Sequence, residues 1–195
     1  MPSLASDGAI ELNNQCIVIP ERVAIFMPVS KNGNTSIKRA ILDKYKTTRF
    51  VYKDEAVYSG FLKYAVVRNP FDRLVSCYEY FKQHNDGYFN KWSSIDYTDF
   101  EDFIRKVCKE PDEISNKHFR SQFNLLSQDG LFIPNIVIRY ENFEDIKKYL
   151  DLPNLPAVHK TQRNAYQQYY SPDMVGAVER RFRKDLDFFN YSFDP

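Results

Sequence analysis

RVAIFMPVSKNGNTS, residues 22–36, is the stretch that decides the fold. The run from Arg22 to Met27 is short and apolar, as a buried strand requires, and Pro28 ends it. The residues from Val29 to Ser36 supply one glycine among small polar side chains. Ile37, Ala40 and Ile41 then recur at helical spacing through IKRAILDKY. A strand running through a polar loop into a helix presents unbonded backbone N–H groups and the positive end of the helix dipole at the loop. Gly33 lets the main chain come close to a ligand, Thr35 and Ser36 add hydroxyls, and Lys31 adds a full charge. With Asn32 and Asn34 between them, these residues read as a cradle for a phosphate-like anion. An ordinary polar turn with a good helix cap is the competing reading.

The same unit recurs outward along the chain. Lys63–Val67 is a second buried strand; Arg68, Asn69 and Pro70 end it, and Phe71, Leu74, Val75, Tyr78 and Phe81 share one face of a helix. Asn135–Arg139 is a third strand, after which Asn142 can cap a short helix carrying Phe143, Ile146 and Leu150. Thr98 with Glu101 forms a capping box for a helix whose buried stripe is Phe100, Phe103, Ile104, Val107 and Cys108. Ser171 and Pro172 open a final helix with Met174, Val175, Val178 and Phe182 inward. Residues 84–97 carry turn formers and scattered aromatics, Trp92 among them, and read as a surface excursion bordering an acceptor site. Alternating strands and helices predict an α/β fold, a central parallel sheet flanked by helices, with ligands outside the carboxyl ends of the strands. A single domain over residues 1–195 is expected, residues 1–20 being a peripheral N-terminal segment.

Composition bounds the partners. The 195 residues hold 43% hydrophobic and 16% aromatic side chains, far from the regime of disordered chains. Lys plus Arg (27) nearly cancels Asp plus Glu (26), which speaks against a nucleic-acid or membrane-surface binder, so any anion site must be local. Cys16, Cys77 and Cys108 lack zinc-ligand spacing and a CxxC pair, and a reducing compartment is the simpler reading. No run approaches the roughly 18 apolar residues of a membrane span. The opening MPSLASDGAIELNN lacks the features of a signal peptide, so a cytoplasmic location is expected; a chain trimmed of a targeting segment would read the same.

A nucleotide kinase would place Lys directly after the second Gly of GxxxxGK[ST], whereas here Lys31 precedes Gly33. The order Lys-x-Gly-x-Thr-Ser is instead similar to the 5'-phosphosulfate loop of sulfotransferases. The second loop, VRNPFDRLVS from Val67 to Ser76, closely resembles that family's 3'-phosphate motif, a strand-end Arg followed eight residues later by Ser. The resemblance implies a three-layer P-loop-like fold and a metal-free transfer from 3'-phosphoadenosine-5'-phosphosulfate (PAPS), which leaves as 3'-phosphoadenosine-5'-phosphate (PAP). It also implies that Lys31 helps the nucleotide leave while Arg68 and Ser76 hold the 3'-phosphate. A planar guanidinium fork suits that group. The competing reading of Arg68 is an ion pair with Asp72; Arg73 reads as structural.

Attack by an acceptor hydroxyl calls for a base, and His is the usual one near neutral pH. His118 lies in Lys117-His118-Phe119-Arg120-Ser121-Gln122, which looks like the His-aromatic-x-Pro-Gln element of carbohydrate sulfotransferases, with Ser121 where Pro is usual. It reads equally as catalytic base or as a structural or acceptor-binding residue. Asp54, Glu55 and His84 are the reserve bases, and His159 reads as a surface or nucleotide-binding residue. Lys160, Thr161, Gln162 and Arg163 lie in a connection that, in related enzymes, returns toward the donor. A saccharide is the expected acceptor; small alcohols, protein tyrosine and a non-catalytic nucleotide-binding relative are the alternatives.

Overall fold

The computed structural model describes residues 16–50, 59–83, 97–155 and 163–194. It opens with a hairpin. Strand β1 (Cys16–Ile19) turns through a 3₁₀ helix, Pro20–Arg22, into β2 (Ala24–Met27), with Ile19 opposite Ala24. Val23 sits at φ 48° and donates its N–H to the Pro20 carbonyl at 3.0 Å, which closes the turn and delays the strand expected from Arg22. The peripheral reading of residues 1–20 therefore fails for Cys16–Ile19, while residues 1–15 lie outside the described residues. The four apolar residues of β1 are all buried and it is an inner strand, paired on both sides.

Helix α1 (Asn34–Lys44) follows β2, and β3 (Thr48–Phe50) returns antiparallel to β1. Then come β4 (Leu62–Val67), α2 (Pro70–Gln83), α3 (Phe100–Lys109), the one-turn α4 (Gln122–Leu125) and a small hairpin of β5 (Ser127–Gln128) and β6 (Leu131–Phe132). β7 (Ile136–Arg139), α5 (Phe143–Leu150), α6 (Pro172–Arg181) and α7 (Arg183–Phe189) complete the order. The main sheet runs β3-β1-β2-β4-β7. β2, β4 and β7 are the expected parallel core, while β1 runs antiparallel to both neighbours, so the sheet is mixed rather than wholly parallel.

Strand residues alternate between faces, and each face has its own core. Ile17, Ile19, Ala24, Phe26, Tyr64, Val66 and Ile138 pack on Ile37 and Ile41 of α1 and Ile146 and Leu150 of α5. Cys16, Val18, Ile25, Met27, Ala65 and Val67 meet Phe123, Leu125 and Leu126 around α4 and Phe189 of α7. A third cluster joins α2, α3 and α6 through Phe71, Phe103, Val107, Val178 and Phe182. The result is an α/β fold of three layers.

Helix ends differ in detail from the sequence reading. Asp99, not Thr98, caps α3: its Oδ1 accepts from the Asp102 N–H at 2.8 Å, and the Thr98 N–H goes back to Asp102 Oδ2 at 3.2 Å. The Asn142 side chain makes no capping bond to α5. Ser171 caps α6 as expected, with its Oγ accepting from the Met174 N–H at 3.5 Å. Among the described residues no helix is long and apolar enough to cross a membrane. The excursion at 84–96 with Trp92 lies outside the described residues.

Candidate active site

Three parallel strands bring three loops to one edge. Met27 stands opposite Ala65 and Val67 opposite Arg139, so Pro28–Gly33, Arg68–Asn69 and Tyr140–Glu141 leave the sheet on the same side. The Tyr140 N–H extends the pairing, donated to the Val67 carbonyl at 2.7 Å. This is the edge where α/β sheets take ligands.

In the first loop Lys31 and Gly33 have φ of 71° and 75°, a region that disfavours side chains. Gly33 also faces Tyr140: a Cβ there would lie 2.9 Å from the ring Cε2. With Gly33 as its N-cap, α1 has no capping side chain on its first-turn N–H groups, which leaves them for an incoming anion. Asn34 Oδ1 is buried without a hydrogen-bond partner among the described residues. Thr35 is exposed and Ser36 buried in the same turn. Asn32 departs from the expected arrangement. Its side chain is fully buried and points inward, Nδ2 donating to the Val66 carbonyl at 2.7 Å and to Gln122 Oε1 at 2.8 Å, so only its main chain can meet a ligand.

The second loop touches the first. Arg68 Nη1 donates to the Lys31 carbonyl at 2.9 Å, and its guanidinium lies 4.4 Å from the centre of the Tyr140 ring. The ion pair with Asp72 is present as well, Nη2 to Oδ2 at 2.6 Å. Asp72 is held from its other oxygen by Arg163, whose Nη1 is buried without a partner among the described residues. Ser76 is buried one helical turn after Asp72 and one before Tyr80, so it shares the face of α2 that meets the two loops. The Lys31 ammonium sits 3.8 Å above the centre of the Tyr80 ring. Burial lowers the Lys31 pKa, and the positive charges of Arg68, Arg73 and Arg163 act in the same direction. A chain of nearly balanced charge thus gathers four cations around one loop.

Arg73 is almost wholly buried and binds main-chain oxygens: Nε to Ser30 at 3.1 Å, Nη1 to Arg120 at 2.8 Å and Nη2 to Lys117 at 3.1 Å. It therefore ties the Lys31 loop to the segment carrying His118. The Asn116 Oδ1 accepts from the His118 backbone N–H at 3.0 Å and faces Nδ1 at 2.7 Å, which places the ring proton on Nδ1 and the lone pair on Nε2. Burial, with Lys31, Lys117 and Arg73 nearby, pushes the His118 pKa down to about 3. At neutral pH the imidazole is uncharged.

Ser121 explains its own departure from the resembled element. Its N–H donates to Asp112 Oδ1 at 2.8 Å, a bond proline lacks the hydrogen to make, and its Oγ reaches Asp112 Oδ2 at 2.6 Å. Gln122 is fully buried: Oε1 accepts from Asn32 and, at 3.0 Å, from the Arg68 N–H, while Nε2 donates to the Arg68 carbonyl at 2.8 Å. Sequence reasoning passed over its contacts, as it did Tyr80 and Tyr140. Gln122 had a signal, its place in the His118 element, whereas Tyr140 had only its position after a strand.

The reserve bases Asp54, Glu55 and His84 lie outside the described residues, as do His159, Lys160, Thr161 and Gln162. Among the described residues no group of three His, Cys, Asp or Glu is placed to hold a metal ion. A cleft of about 460 Å³ lined by Arg39, Asp43, Lys44 and Leu152–Leu155 flanks the carboxyl half of α1, and none of the residues above contributes to it.

No curated protein and no solved structure matches the chain. A family model described as "Sulfotransferase family" matches residues 14–192. That span holds the whole described sheet and both loops that meet at Lys31 and Arg68, and the chain belongs to the sulfotransferase family.

Proposed function

We propose that the chain transfers a sulfuryl group from PAPS to an acceptor hydroxyl, with a carbohydrate as the acceptor. The observation that carries this reading is the 2.9 Å bond from Arg68 to the Lys31 carbonyl, which brings two cationic loops into direct contact. The first-turn amides of α1, Lys31, Gly33, Thr35 and Ser36 take the 5'-phosphosulfate. Arg68 and Ser76 take the 3'-phosphate, and Arg163 Nη1, buried without a partner among the described residues, adds a donor beside them. A bond forms between the acceptor oxygen and sulfur as the sulfur–oxygen bond to the 5'-phosphate breaks. Lys31 neutralises the charge that builds on the departing oxygen, and the acceptor proton moves to His118 Nε2. No metal enters the scheme.

A pKa near 3 makes His118 a weak base in the protein alone. Burial is the main cause of that low value and Lys31 a lesser one, so an anion held by Lys31 offsets the Lys31 part and makes the imidazole a stronger base than it is in the protein alone. The three free cysteines fit a reducing compartment, and we place a single-domain protein in the cytoplasm. Calorimetry with PAP, PAPS and ATP tests the donor: binding of the first two without ATP is expected, and ATP binding alone refutes it. A transfer screen with sulfate-labelled PAPS over saccharides, small alcohols and tyrosine peptides tests the acceptor. Label on tyrosine or alcohol alone overturns the carbohydrate, and PAPS binding without transfer to anything marks a non-catalytic relative.

A further inference from the structure

We propose that Gln122 is a positioning residue that sets the separation of the two anion-holding loops, so that the pocket grips a nucleotide bearing both phosphates more tightly than its halves predict. The inference rests on the donor reading above. One side-chain amide spans both loops: Gln122 Oε1 takes Asn32 Nδ2 from the first at 2.8 Å and the Arg68 N–H from the second at 3.0 Å. Nε2 returns to the Arg68 carbonyl at 2.8 Å, so Arg68 is held by both of its main-chain groups. Asn32 is held in turn by the Val66 carbonyl at 2.7 Å, which ties the first loop to the strand that launches the second.

The amide itself has an anchor. Asp185 of α7 is fully buried, and its carboxylate accepts the Gln122 N–H at 2.7 Å and the Phe123 N–H at 2.8 Å. Asp185 Oδ2 also lies 3.4 Å from Gln122 Nε2. An amide with two acceptor bonds and two donor bonds in a dry site has one orientation, because any rotation strands a buried polar group. Lys31 is the neighbour of Asn32, so the separation of the charges at Lys31 and Arg68 follows from this bracket. A pocket of fixed span favours a ligand whose two anions match it, since the ordering of both loops is already present before binding.

Calorimetric affinities of PAP, 5'-AMP and 3'-AMP for the wild type, Gln122→Met and Asn32→Ala test this. Methionine keeps the volume without the hydrogen bonds, and Asn32→Ala cuts the arm to the first loop while leaving Gln122 on Arg68 and Asp185. Each folded variant is expected to lose PAP affinity about tenfold or more, within the range of ordinary coupling between sites, and to hold either monophosphate within about threefold. The double variant loses no more than the weaker single variant, because both cut one connection. If Gln122→Met does not fold, Asn32→Ala alone decides. Equal losses for PAP and both monophosphates, or an unchanged PAP affinity, overturn the proposal and leave the donor reading standing. A wild type that binds no PAP overturns the donor reading, and this proposal with it.

Discussion

Arg68 grips Asp72 through Nε at 2.7 Å and Nη2 at 2.6 Å while Nη1 holds the Lys31 carbonyl at 2.9 Å. The ion-pair reading of this arginine therefore holds, and the same side chain stands at the junction of the two loops. A phosphate arriving here shares the guanidinium with a carboxylate already held on its other side by Arg163. Arg68→Met is expected to weaken PAP roughly 10–100-fold, the worth of a charge-assisted hydrogen bond or two, and to change 5'-AMP by less than about threefold. Calorimetry with both ligands checks it. Parallel losses would move Arg68 out of the 3'-phosphate site.

Lys31 makes a different prediction because its ammonium rests on the Tyr80 ring and its proposed part is in the departure of the nucleotide. Lys31→Ala is expected to lower turnover about 100-fold or more, as removal of one transition-state donor does, with PAP affinity changed by less than about fivefold. Steady-state rates alongside calorimetry separate the two. A variant with unchanged turnover would refute the role.

Gly33→Ala tests the loop backbone. The substitution puts a side chain at φ 75° and a carbon 2.9 Å from Tyr140, whose ring also faces the Arg68 guanidinium. A cost of about 1–3 kcal/mol in urea unfolding is expected, together with weaker PAP binding as Tyr140 shifts. Unfolding at the wild-type midpoint would show that the loop relaxes freely.

Local signals carried much of this structure. The strands Ala24–Met27 and Leu62–Val67 and the helices after them follow from apolar runs and helical spacing, and Lys31 and Arg68 follow from motif order. What escaped depends on contacts distant in sequence. Cys16–Ile19 is as long an apolar run as Ala24–Met27, but its antiparallel place between β2 and β3 breaks the alternation of strand and helix that guided the rest. The Asn32–Gln122 bond joins residues 90 positions apart, and the Gln122–Asp185 bond joins residues 63 apart. No spacing rule reaches across such intervals. Asp99 displaced Thr98 as the cap of α3 because two adjacent residues each offered an oxygen, and the backbone chose the second.

Arg73 gives a prediction that separates structure from donor binding. Its three bonds hold Ser30 to Lys117 and Arg120, and burial lowers its own pKa. Arg73→Lys keeps a cation but not the planar fork, so at most part of that span survives. Turnover is expected to fall about tenfold or more, with PAP affinity held within about threefold, because Gln122 still joins the donor loops. Loss of PAP binding in a folded variant would place Arg73 with the donor arms instead.

His118 ties stability to pH with a definite sign. The folded-state pKa near 3 lies below the ordinary 6.5, chiefly through burial, so the fold favours the neutral ring. Above about pH 6.5 both folded and unfolded chains are neutral at this site and its contribution is complete. As pH falls from 6.5 toward 3 the unfolded chain takes up a proton that the folded chain refuses, and stability drops by about 1.4 kcal/mol per pH unit. Asp185 works the other way, since burial lifts its pKa to about 6 and protonation of the fold below that value adds stability down to the ordinary carboxylate range. The two effects overlap between pH 6 and 4, so the wild-type curve alone is flattened there. Subtracting the curve of His118→Gln isolates the histidine: the wild type should lose about one proton's worth of slope more than the variant from pH 6 to 4. Urea unfolding across pH measures both curves, and parallel curves would mean that His118 titrates freely in the folded protein.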